Sequence, residues 1–227
     1  YGMPGNLPAI AQLAAERGVF LIDDAAQAMG ARVGDRWSGT WGDAGLFSFD
    51  KGKNVSAIDG GVLVTSGPGL ADALRHEVAS LHRPGAGESL AGVVKAIGYA
   101  TLLRPSVYWI PNRIPQLGLG RTVFTTEYPI EQPIGALTAL AAAMMRRLET
   151  FTAARQAHAS TMLADLATMT GMRTIRPVAG SRAVYLRLPV LAADGGTRDA
   201  LLAALNEAGI GASGSYPASR VPPSAAR

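Results

Sequence analysis

The sequence predicts an α/β fold, with a mostly parallel sheet in a larger domain and a smaller α+β unit at the C-terminal end. Short continuous apolar runs at residues 19–23, 44–49 and 61–66 read as strands buried on both faces. Helical patterns at residues 7–17 and 70–81 separate or follow them, as in βαβ units. A long helical stretch at residues 132–169 then leads into a strand–helix–strand pattern at 183–189, 198–208 and 210–216. A hydrophobic share of 48% gives a chain of 227 residues enough material for a core.

The elements follow in order. Asn6 is a preferred N-cap residue and Gly18 a preferred stop, so residues 7–17 form the first helix. No strand precedes it, although a crossover helix connects two strands; the sequence is therefore expected to lack an N-terminal part of its domain. The next strand ends near Asp24, and open α/β sheets bind ligands beyond the carboxyl ends of their strands. A helix over residues 90–103 opens an insertion, residues 88–121, in which Pro105, Pro111, Pro115 and the turn at Gly118 and Gly120 end regular structure. Within it, Tyr99, Tyr108 and Trp109 alternate with Lys95, Arg104 and Arg113, which reads as a partly buried insertion. The helical stretch from residue 132 breaks once and carries Arg146, Arg147 and Arg155 on its polar side. The expected division is a large domain over residues 1–131, a connecting helical region over 132–170 and a truncated small domain over 171–227.

Composition narrows the function classes. The net charge is +4, but the arginines are scattered, so nucleic acid is not an expected partner. There is no cysteine, and His76, His82 and His158 stand at no ligand-like spacing, so neither a disulfide framework nor a metal site is expected. No apolar run approaches the roughly 18 residues of a membrane span and no signal peptide opens the chain; the cytoplasm is the expected location.

Two segments carry chemistry. LIDDAAQAMGA, residues 21–31, ends a strand in paired carboxylates, and FSFDKGKNVSAIDGG, residues 47–61, carries Lys51 and Lys53 between a strand and a Gly-Gly turn. Strand alternation sends Asp23 and Asp24 to opposite faces, so one of them should face a ligand. Asp24 equally suits capping of a following helix, and loop lysines are ordinarily solvated. Burying an ammonium in such a loop is costly without a function for it.

These segments, with Asp59, Gly60 and Gly61 and the strand VLVTS, resemble the DegT/StrS-type (DegT/DnrJ/EryC1/StrS) sugar aminotransferases. The resemblance is carried by IDDAAQA and FSFDKGKN together. It implies the aspartate aminotransferase-like fold, fold type I, and pyridoxal 5'-phosphate as cofactor. By motif position it implies Lys53 as the Schiff-base lysine and, once released, the acid/base group that shuttles the substrate proton; Asp24 as the carboxylate partner of the ring nitrogen; Ser48 as a phosphate contact; Gln27 as a contact to the ring or its hydroxyl; and Ala26 against the ring face. The implied substrates are an amino acid donor and a keto group on a nucleotide-linked sugar, and the implied assembly is a homodimer. Two alternatives stand beside it: a non-catalytic or regulatory relative, and a sugar dehydratase of the same fold, a branch that generally lacks the lysine. Asp50 lies close to where a phosphate would bind, with Lys51 as its expected counter-charge. The family's Asn-Tyr-Arg segment has no counterpart in FTTEYPIEQPIGAL, residues 124–137.

Overall fold

Pro8 in the first turn and the left-handed Gly18, whose N–H bonds the Ala14 and Ala15 carbonyls, delimit α1 (Leu7–Arg17) as the sequence predicts. The Asn6 side chain makes no capping bond. This is a computed structural model, which describes residues 1–102, 104, 106, 107 and 130–214. After α1 come β1 (Ile22–Asp24), the short β2 (Arg32–Val33) and β3 (Arg36–Trp37), β4 (Ala44–Ser48), β5 (Gly61–Val64), α2 (Pro68–Ser80) and α3 (Ala86–Leu102). The sequence-predicted turn at Gly118 and Gly120, with Pro105, Pro111, Pro115, Tyr108, Trp109 and Arg113, lies outside the described residues. Beyond it stand α4 (Gly135–Met145), α5 (Leu148–Leu166), β6 (Met172–Thr174), β7 (Ser181–Arg182), β8 (Val190–Ala192) and α6 (Gly195–Glu207).

The sheet that matters for function is three-stranded, ordered β1-β4-β5. β1 and β4 pair in parallel, with Ile22, Asp23 and Asp24 opposite Ala44, Gly45 and Leu46. β5 pairs antiparallel to β4, because the loop between them turns back on itself instead of crossing over through a helix. Two smaller antiparallel groups, β3-β2-β7 and β6-β8, complete the strand pairing among the described residues. Val62 and Leu63 of β5 and Ile22 of β1 are 41%, 49% and 55% exposed, so the two-sided helical cover expected from their apolar character is not present within the described residues.

The long helical stretch is broken once, as expected, at Arg146 and Arg147, where Arg147 leaves helical geometry at φ −104°, ψ 5°. α6 caps itself: Asp194 accepts from the Thr197 N–H, and those hydrogen bonds hold its carboxyl below the usual aspartate range. The expected strand at 183–189 does not form. Tyr185 has φ +46°, which an extended strand cannot accommodate, and only Ser181 and Arg182 pair, with β2. Val184 and Arg187 instead donate singly to the carbonyls of Gly2 and Tyr1. The expected strand starting at residue 210 is not formed through residue 214, and residues 215 and 216 lie outside the described residues. No helix among the described residues is long and apolar enough to cross a membrane.

The main core cluster is built from the turn after β1, the loop after β4 and α4. Met29, Val55, Ala57, Leu137 and Ala141 are buried together, with Phe47, Phe49, Ile134, Met144 and Leu148 packed around them. Leu137 therefore holds the lysine-bearing loop against α4. Leu137→Ala should cost about 2–5 kcal/mol in urea unfolding through the cavity it leaves, whereas Leu137→Met should stay within about 1.5 kcal/mol. An equal, negligible effect of both would contradict this packing.

Candidate functional site

The two faces of the β1/β4 pair have different roles, and the register shows which residue belongs to which. Asp23 lies beside Gly45, and Phe47 follows on the same face. That face is closed by the loop after β3: the Asp23 carboxylate accepts from the backbone N–H groups of Gly39, at 2.6 Å, and Trp41, at 3.2 Å. The approach is so tight that a side chain on Gly45 would meet the Gly39 carbonyl, and one on Gly39 would meet the Phe47 ring. Asp23 is buried, and its Oδ2 accepts both of these bonds.

Asp24 lies beside Leu46, with Ser48 on the same face two residues further along β4. Its carboxylate is exposed at the strand's carboxyl end and accepts locally from the Ala26 N–H, at 2.9 Å. It thus caps a turn of residues 26–30, held by Ala28 N–H to the Ala25 carbonyl and Ala31 N–H to the Ala28 carbonyl, in place of an α-helix. Ala26 and Gln27 are half-buried in this turn. The Ser48 hydroxyl is half-buried and accepts from the Asp50 N–H at 3.2 Å.

The lysine loop is closed by its own backbone. Phe49 N–H bonds the Gly60 carbonyl, Ala57 N–H bonds the Phe49 carbonyl, and Lys53 N–H bonds the Asp50 carbonyl. Gly52 takes φ +75° immediately before Lys53, a geometry that favours glycine and aims the chain sharply into the next residue. Asn54 is buried, and its Nδ2 donates to the Met29 carbonyl at 2.7 Å. This bond joins the lysine loop to the turn that begins at Asp24. Lys53 is half-buried, whereas Lys51 is exposed, its Nζ 5.4 Å from the centroid of the Tyr99 ring on α3. The expected pairing of Lys51 with Asp50 is therefore replaced by a cation–π contact; among the described residues, no ion pair joins the two.

Beside Lys53 opens a cleft of about 480 Å³, lined by Lys53, Asn54, Met144, Phe151, Ala154, Arg155 and His158. The α5 residues among these recur at i, i+3, i+4 and i+7, one helical face. Arg155 and His158 thereby join a site to which the sequence reading did not assign them. Helical spacing gives a clue to the shared face but not to the loop it meets. The geometry also places His82, Glu88 and Glu131, all exposed, with ligand atoms within 4.8 Å of one another. Glu88 is held below the usual carboxylate range, first by the Gly85 N–H and then by His82. Spacing along the chain does not reveal this group, because Glu131 comes from a distant segment.

Comparison with known proteins follows the same lines. The model of the DegT/DnrJ/EryC1/StrS aminotransferase family matches residues 1–104 and 133–226. A UDP-N-acetyl-3-dehydro-alpha-D-glucosamine 3-aminotransferase of Acidithiobacillus ferrooxidans is 43% identical over 76 residues, which are 33% of this chain and 21% of that protein. The crystal structure of the aminotransferase TlmJ from Streptoalloteichus hindustanus superposes with a TM-score of 0.64 at 28% identity, covering 92% of this chain and 48% of that one. The GDP-4-keto-6-deoxy-D-mannose-3-dehydratase of E. coli, solved with bound hydrated PLP, shares the fold at a TM-score of 0.65 and 17% identity, covering 92% of this chain and 50% of that one. The chain thus spans about half the length of these solved relatives and about a fifth of the curated one. The fold is that of the fold-type I aminotransferases, as the sequence resemblance implies.

The division between the two aspartates has a measurable consequence. Asp23→Ala strands the buried Gly39 N–H and the part-buried Trp41 N–H and should cost about 2–4 kcal/mol in chemical denaturation, while Asp24→Ala should change stability by no more than about 1 kcal/mol. Equal costs would show that the two carboxylates are not divided in this way.

Proposed function

The chain belongs to the DegT/DnrJ/EryC1/StrS aminotransferase family, and on that premise we propose that it forms part of a pyridoxal-phosphate enzyme that moves an amino group from an amino acid to a keto group on a nucleotide-linked sugar. The observation that carries this reading is the convergence at the carboxyl ends of β1 and β4. An exposed carboxylate and a hydroxyl share one sheet face, and the loop that presents a half-buried lysine is bonded to the same turn. Open α/β sheets receive their ligands at such strand ends.

The residues present fit the cofactor by their chemistry. Among the described residues the bond shown for the Asp24 carboxylate is the local one from the Ala26 N–H to Oδ1, which leaves capacity for a protonated ring nitrogen. Lys53 forms no ion pair among the described residues, so its amine is not already committed to a carboxylate. In this reading Lys53 holds the cofactor covalently, Asp24 partners its ring nitrogen, Ser48 contacts its phosphate, Gln27 contacts the ring or its hydroxyl, and Ala26 lies against the ring face. The bound cofactor supplies an electron sink for the carbon losing its proton. Lys53 Nζ, when free, takes that proton and returns it, and the Asp24 carboxylate keeps the ring nitrogen protonated. A lysine at position 53 favours transamination over the dehydratase chemistry of relatives that share this fold. A second copy of the chain is the proposed partner, as in other fold-type I enzymes.

Borohydride treatment of the full-length enzyme incubated with pyridoxal phosphate tests the reading directly. A pyridoxyl group should be fixed on Lys53, and Lys53→Ala should lose both the adduct and the visible absorption. An enzyme that takes up no cofactor, or is labelled elsewhere, would refute it and favour a non-catalytic relative.

A further inference from the structure

We propose that the outer face of α3 is a membrane-docking surface, on which Leu90, Val94 and Ile97 enter the headgroup region of an anionic lipid bilayer with Lys95 beside them. The inference is independent of the roles given to Lys53 and Asp24.

The sequence reading expects this insertion to be partly buried, and the structure covers α3 on one side alone. On its inner face Ala96 lies against the core cluster, and a side chain at Gly92 would meet Ile134 at the start of α4. Val94 stands two residues from each of these, about 200° around the helix. With Leu90 and Ile97 it forms an i, i+4, i+7 stripe along the opposite face. Leu90 is 66% exposed, and Val94 and Ile97 are each 59% exposed. A helix that is apolar on both faces belongs in an interior, yet this stripe is uncovered among the described residues.

Charge identifies the occupant. Over residues 89–126 the sequence carries Lys95, Arg104, Arg113 and Arg121 and no aspartate or glutamate. Lys95 is exposed and stands one residue, about 100°, from Val94, at the border of the stripe. Arg104 is exposed just beyond the helix. Neither forms an ion pair among the described residues. The neighbouring carboxylate, Glu88, accepts from the Gly85 N–H and lies against His82. A second copy of the chain meeting this face in a two-fold pair would bring the same cations together with no carboxylate of the stretch to answer them. Lipid phosphates answer them, and the boundary between headgroups and acyl chains takes the apolar side chains. Tyr99, Tyr108 and Trp109, in the same stretch, are residue types that favour such a boundary.

Length sets the mode of binding. α3 has 17 residues, and no helix among the described residues is long and apolar enough to cross a membrane, so α3 lies along the bilayer surface and does not enter it end-on.

Flotation of the full-length protein with vesicles of phosphatidylcholine and phosphatidylglycerol in equal parts, compared with phosphatidylcholine alone, tests the proposal. The unaltered protein should float with the mixed vesicles and bind phosphatidylcholine alone at least about fivefold more weakly. Val94→Glu should weaken binding to the mixed vesicles at least about tenfold, and Lys95→Gln about fivefold. Both positions are exposed, so the circular dichroism and unfolding midpoint of these variants should match those of the unaltered protein, and Leu90→Ser repeats the test should Val94→Glu misfold. An unaltered protein that floats with neither vesicle, equal binding to the two lipid compositions, or binding that survives both Val94→Glu and Leu90→Ser overturns the proposal. A smaller oligomer in sedimentation velocity with Val94→Glu, in a protein that binds no vesicle, also overturns it and assigns the face to a second copy of the chain.

Discussion

The Asn54 side-chain amide reaches the Met29 carbonyl across 2.7 Å in the interior of the fold, and the relative placement of the proposed catalytic groups depends on that bond. Two loops leave the carboxyl ends of paired parallel strands, one carrying Asp24, Ala26 and Gln27, the other carrying Lys53. Without a tie they would fray independently, as loops outside a sheet do. A buried hydrogen bond is costly to leave unmade, so the two loops are locked to one another at the residue after the lysine. Val55 and Ala57, almost fully buried, continue the lock into the core against α4. The residue that positions the lysine is thus its neighbour, and the lysine's own amine forms no ion pair among the described residues.

The paired aspartates show how adjacent identical residues acquire different duties. Strand alternation puts Asp23 under the loop after β3, where its carboxylate accepts from two backbone N–H groups, and puts Asp24 on the open face with Ser48. Gly45 and Gly39 make this arrangement sterically feasible, since the Gly39 carbonyl lies where a Gly45 side chain would stand and the Phe47 ring lies where a Gly39 side chain would. One carboxylate therefore builds the rigid base on which the other is presented. Rigid support of this kind is what holds a catalytic group in productive geometry.

Much of this was legible in the sequence because it is local. The limits of α1 follow from Gly18, the break between α4 and α5 falls inside one predicted helical stretch, and the faces of Asp23 and Asp24 follow from alternation. What was not legible is set by tertiary contacts. Tyr185 at φ +46° ends an otherwise strand-like pattern, and Lys51 settles on Tyr99, in a helix some forty residues on. Arg155 and His158 stand on a helical face whose periodicity is readable, but only the folded chain shows that this face meets Lys53. The antiparallel β5 likewise depends on how the lysine loop closes on itself through Phe49 and Gly60.

In the proposed function Asp24, set on the open face by β1 and joined to the lysine loop through the Asn54–Met29 bond, keeps the cofactor ring nitrogen protonated. The direct measurement is the nitrogen-15 resonance of ring-labelled pyridoxal phosphate bound to the full-length enzyme. A pyridinium shift in the unaltered enzyme that moves to the neutral pyridine position in Asp24→Asn is the predicted result. A neutral ring in the unaltered enzyme, or a pyridinium that survives the substitution, would contradict it.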